Sequence, residues 1–165
     1  MAYDFNAAEI FEVAIRIEEN GAAFYRKAAQ LQADASNQDF LGKLASMEDV
    51  HKVTFVEMKD RITEAEKSQT VFDPHGELSL YLSSMADSHG GEGSPAAADS
   101  LTGKETMEEI ISIAIGLEKN SILFYLGLRD MVPPKLGREK IDDIIREERK
   151  HIAQLTTLHR KIVAE

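Results

Sequence analysis

No cysteine and no tryptophan occur among the 165 residues. Without thiols there is no disulfide, no thiol nucleophile, no zinc–cysteine site and no iron–sulfur cluster held by cysteine. Proline is scarce, at four residues, and aromatic residues make up only 7%, a balance that leans towards helix. Positive charge is also short. Nineteen Lys and Arg stand against 29 Asp and Glu, for a net charge of −10. A nucleic-acid binder needs a basic surface, so that class is set aside, and an anionic membrane would repel the chain. No uninterrupted apolar run approaches the roughly 18 residues that cross a bilayer. The opening segment, MAYDFNAAEIFEVAIRIEEN, carries acids where a signal peptide is basic and apolar, so a cytoplasmic location is expected. What is present is a hydrophobic content of 43%, in a chain long enough for one domain with a real core.

Four segments carry helical periodicity and predict an all-α chain. The first spans about 7–31, with Asn6 and Glu9 as a capping pattern at its start. QADASNQ breaks it, and the second spans about 37–65. Thr102 and Glu105 form another capping pattern before the third, which reaches about residue 131. VPPKLG breaks the chain again, and the fourth spans about 138–163. Between the second and third lies a bridge of about 66–102. Its centre, DSHGGEGSPAAADS, reads as flexible linker, and the spacing of Leu78, Tyr81, Leu82 and Met85 suits a short amphipathic helix before it. Such a bridge can run from one end of a bundle to the other. The expected fold is therefore one domain, 1–165, a four-helix bundle of two antiparallel hairpins, about 7–65 and 103–164, joined by a long crossover.

The two hairpins repeat each other at an offset of 100 residues. AIRIEENGAAFY, from Ala14 to Tyr25, aligns with AIGLEKNSILFY, from Ala114 to Tyr125. Glu48 and His51 recur as Glu148 and His151, three apart both times. Each helix has an apolar seam with spacings of three and four. Phe11, Ala14, Glu18, Gly21 and Tyr25 mark the first; Leu44, Glu48, His51 and Phe55 the second. Ile111, Ala114, Glu118, Ser121 and Tyr125 mark the third; Ile144, Glu148, His151 and Leu155 the fourth. Every seam is apolar except at its middle. Glu18 and the Glu48/His51 turn are equidistant from the break near residue 34, and Glu118 and the Glu148/His151 turn from the break near residue 134. At about 1.5 Å per residue, all six groups fall roughly 24 Å from the turns, at one level of the bundle.

Four carboxylates in an apolar core need compensation, because burying even one unpaired charge costs several kcal/mol or more. Protonation or water could supply it, and so could cations. Two divalent ions balance four carboxylates, with two imidazoles as neutral ligands. A donor set rich in carboxylate and containing histidine suits iron or manganese better than a soft metal or a closed structural zinc site. His75, His89 and His159 fall outside this pattern.

One Glu from each of two helices and Glu-x-x-His from each of the other two is the ligand pattern of ferritin-like carboxylate bundles. The chain resembles that superfamily over all four helices, and within it the rubrerythrins. The resemblance implies two iron ions per chain, with manganese or zinc as substitutes, held by Glu18, Glu48, His51, Glu118, Glu148 and His151, with Glu48 and Glu148 bridging. Tyr25 and Tyr125 match the family's tyrosine seven residues after the helix glutamate, whose phenol hydrogen-bonds a ligand carboxylate. It further implies a di-iron oxidoreductase that reduces hydrogen peroxide or dioxygen. A homodimer is expected, and a crossover of this length could let hairpins exchange between subunits. Two departures stand out. Full rubrerythrins carry a rubredoxin domain with iron on four cysteines, absent here, so an external electron donor is required. They also carry an extra glutamate three residues after the third-helix ligand, where this chain has Ser121, matched by Gly21. That departure weakens the usual peroxide-reductase reading and moves the site towards a symmetric ferritin-like pattern. The alternatives are iron oxidation, transfer or storage, and a non-enzymatic metal-sensing or partner-binding bundle.

Overall fold

The computed structural model describes residues 5–67, 80, 84 and 94–164. Among them are four long helices: α1 (Ala7–Leu31), α2 (Ala35–Asp60), α4 (Met107–Arg129) and α5 (Arg138–Val163). A short α3 (Pro95–Asp99) precedes α4, and a 3-10 turn (Pro134–Leu136) precedes α5. No strand occurs among the described residues. Helix α1 packs along α2 and α4 along α5, the two hairpins expected from the sequence.

The helix starts follow local chemistry. Asn6 accepts from the Glu9 amide at 3.0 Å while the Glu9 carboxylate accepts from the Asn6 amide at 2.8 Å, so two otherwise orphaned donors are satisfied reciprocally. At α2 the Asp34 carboxylate accepts from the amides of Ser36 and Asn37. Helix α4 begins later than its expected cap. Thr106 and Glu109 form the capping box there. Thr102 and Glu105, the pair read as the cap, instead close a turn through Gly103, which sits at φ +79°. The Glu105 carboxylate accepts from the Thr102 hydroxyl and amide and the Gly103 amide, which holds its pKa down to about 2.

Two further expectations are corrected. Helix α2 ends at Asp60 rather than near residue 65, and the chain continues in turns as far as Lys67. Part of the stretch read as flexible linker is the ordered helix α3, which has Pro95 in its first turn and lies against α1. Proline lacks only a hydrogen bond that the first turn does not make, and the following alanines favour helix. The amphipathic stretch of Leu78, Tyr81, Leu82 and Met85 lies outside the described residues, as do His75 and His89. Helix α4 has the length and composition of a membrane span, with a mean hydropathy of 1.3, a test that core helices of bundles also pass.

The core is two apolar clusters rather than one. Phe11, Ala14 and Ile17 join Phe55, Tyr125, Leu128, Ile141 and Ile144 at one end. Phe24, Tyr25 and Ala28 join Leu41, Leu44, Ile111, Ala114 and Leu155 at the other. The C-terminal halves of α2 and α4 share a cluster, so these helices run in the same direction. Helix α2 thus finishes at one end of the bundle and α4 begins at the other, the topology of two hairpins joined by a crossover.

The α4–α5 corner is fastened to the N-terminus. The Phe5 amide donates to the Met131 carbonyl at 3.0 Å, and Arg138 Nε donates to the Val132 carbonyl at 2.7 Å. Gly137 turns the chain at φ +92°, where a Cβ would meet the Ala7 Cβ at 2.7 Å. Strain and clash act together at this position. Gly137→Ala is expected to cost about 2 kcal/mol, measurable by urea unfolding.

Candidate metal centre

Between the two apolar clusters lies a polar belt. Glu18, Glu118 and Glu148 are fully buried, Glu48 is 2% exposed and His151 4%. Each comes from the middle of a helix whose ends belong to opposite clusters, so the packing that buries Phe11 and Tyr25 on α1 necessarily buries Glu18 between them. The six predicted ligand residues are brought together at this level.

They fall into two groups. In the first, His51 Nδ1 lies 2.8 Å from Glu48 Oε2 and 3.6 Å from Glu18 Oε2. In the second, His151 Nδ1 lies 3.1 Å from Glu148 Oε2 and 3.6 Å from Glu118 Oε1. The matching distances express the sequence duplication in space. The two imidazoles stack face to face, with centroids 3.4 Å apart and planes 10° from parallel. Donor atoms of Glu18, Glu48, His51 and His151 lie within 4.8 Å of one another, and so do those of Glu118, Glu148 and His151.

This donor set fits a pair of cations. The ion-pair partners of Glu48 and Glu148 are His51 and His151. Two imidazoles cannot offset four carboxylates, whereas two divalent ions do. Glu148 Oε1 is buried with no hydrogen-bond partner among the described residues, an oxygen lone pair removed from water. The carboxylate and imidazole donors match the preference of iron, manganese or zinc rather than of a soft thiophilic ion.

Tyr25 and Tyr125 are both fully buried and lie in opposite clusters, one on each side of the belt. Tyr25 packs edge-on against Phe24 at 5.3 Å, and Tyr125 is tilted against Phe124 at 5.8 Å. Ser121, one turn after Glu118, is fully buried, and its hydroxyl has no hydrogen-bond partner among the described residues. The sequence already places Ser121 on the apolar seam of this helix, and the packing buries it there. His159 pairs at 4.0 Å with Glu108, well along α5 from the belt.

No family model matches the chain, and no curated protein does. Among solved structures, the chain is similar to a crystal structure at 2.30 Å of a protein from Thermotoga maritima described as a ferritin-like diiron-carboxylate protein. The similarity covers 97% of this chain and 98% of that one, at 24% identity and a TM-score of 0.55. The fold is thus ferritin-like, as the hairpin pairing and the divided core already indicate.

Proposed function

We propose that this chain of ferritin-like fold is a non-haem di-iron oxidoreductase of rubrerythrin-like type, reducing hydrogen peroxide or dioxygen with electrons from an external donor. The observation that carries the reading is the belt itself: six donors in two matched groups, between apolar layers that alone would reject them. Glu18, Glu48 and His51 would hold one ion, and Glu118, Glu148 and His151 the other. The solved relative, described as a diiron-carboxylate protein, supports iron as the metal.

A bound pair of ferrous ions supplies two electrons, which with two protons take hydrogen peroxide to two waters. The chain's own part is to hold four carboxylates and two imidazoles at fixed positions before any ion arrives. Helical packing on both sides of the belt provides that rigidity. Tyr25 and Tyr125 would steady ligand carboxylates by hydrogen bonding, and their hydroxyls could serve as a proton source. The apolar clusters above and below limit bulk water at the reacting centre. None of these 165 residues is a cysteine, so in this reading electrons reach the centre from outside the helical bundle. A homodimer, with hairpins exchanged or not, belongs to the same reading.

A second reading, iron oxidation followed by transfer or storage, draws support from Ser121. Serine in place of the extra glutamate leaves the two halves more alike, as in a symmetric ferroxidase site. Anaerobic loading with ferrous iron, followed by peroxide and a reductant, separates the two. Repeated turnover is expected for the reductase. A single oxidation that no donor reverses would overturn it, and a large cage holding many irons in sedimentation would favour storage.

A further inference from the structure

The two halves of the duplication differ at the surface. His51 keeps 14% of its side chain exposed, against 4% for His151. The exposed edge of His51 lines a surface groove of about 400 Å³ together with Lys43, Ser46, Met47 and Val50 of α2 and Gln154 of α5. Of the six belt residues, His51 alone reaches it.

The duplication supplies the comparison. One hundred residues on, Ser46 and Val50 become Arg146 and Lys150, while Lys43 and Met47 become Asp143 and Glu147. These four residues pair with one another: Arg146 with Asp143 at 2.6 Å, and Lys150 with Glu147 at 2.7 Å. One half therefore presents the side chains of Ser46, Met47 and Val50 beside its histidine, with the charged Lys43 in the same groove. The other presents a lattice of long charged ones, and its histidine is the more buried.

We propose that the groove at His51 is the way in for a small, uncharged oxidant, which reaches the centre at the Glu18/Glu48/His51 group first. This rests on the two-metal reading above. The walls select the class of visitor. Met47 and Val50 offer carbon, and Lys43 is a positive charge, so a hydrated cation gains nothing there. Dioxygen loses little on leaving bulk water for such a surface, and hydrogen peroxide can exchange its water hydrogen bonds for ones to Ser46 and Gln154 of the groove.

The test uses the full chain loaded with ferrous iron, with nitric oxide as an uncharged diatomic probe and its binding rate followed by stopped-flow absorbance. Val50 is 62% exposed, so Val50→Trp fills the groove without touching the core. The double variant S46R/V50K brings in the two long cationic side chains of the other half's wall. Both are expected to slow probe binding by about tenfold, with iron content, Tm and final amplitude unchanged. Lys150→Trp, at the matching position of the second half, is expected to leave the rate as it was. Rates unaffected by Val50→Trp and S46R/V50K, or slowed equally by Lys150→Trp, would overturn the groove proposal while leaving the metal centre standing. A wild-type chain that retains no iron would sink both.

Discussion

Adding a slight excess of ferrous or manganous ion over two equivalents per chain is expected to raise the Tm of the metal-free protein by about 15 °C or more. The size follows from linkage. An ion present at about a thousand times its dissociation constant stabilises by about 4 kcal/mol per site, and two sites act together. For a domain of this size, each kcal/mol moves the Tm by roughly 2–4 °C. The effect is large because the metal-free state is poor. It holds Glu18, Glu48, Glu118 and Glu148 in a layer where three are wholly inaccessible and the fourth is 2% exposed. Differential scanning calorimetry with and without metal measures the shift. A shift of only a degree or two would mean that the belt is satisfied without ions.

The second large effect is a change of sign. Glu18→Leu combined with Glu118→Leu is expected to abolish binding of both ions and yet to stabilise the metal-free chain. Buried charges replaced by apolar groups of similar volume often gain 1–4 kcal/mol, because desolvation no longer has to be offset. Leucine at these positions would fuse the two apolar clusters, since Ile17 and Ala114 already flank them. The variant should therefore melt above the metal-free wild type and below the metal-loaded one. Urea denaturation of the three forms, with metal content by elemental analysis, checks the order. A double variant less stable than the metal-free wild type would show that the glutamates contribute to packing in their own right.

That trade of stability for a site explains why so much was legible in the sequence. An acid at the middle of an apolar seam has no structural excuse, and four such acids at one level point to something that must lie between them. The 100-residue offset then ties Glu48 and His51 to Glu148 and His151, and their matched Nδ1 distances repeat the same relation in space. Harder to read were features set by competition between equal signals. Thr102/Glu105 and Thr106/Glu109 are the same capping pattern four residues apart. Only the second directly precedes the apolar run Ile110–Ile111, while Gly103 turns the first into a loop. The glycine-rich stretch before Pro95 masked the helical tendency of the alanines after it. The unequal exposure of His51 and His151 was also written in the sequence, in Ser46 and Val50 against Arg146 and Lys150. It becomes readable only when the outer faces of the two halves are compared, not their seams alone.

If Glu18, Glu48, His51, Glu118, Glu148 and His151 hold two metal ions, as we propose, both ions lie in the layer between the two apolar clusters. Anomalous diffraction at the iron edge, from crystals of the iron-loaded chain, tests it directly. Two peaks are expected, one against each Glu–Glu–His group. No peak between α1, α2, α4 and α5, or iron found only on the outer acidic faces, would contradict it.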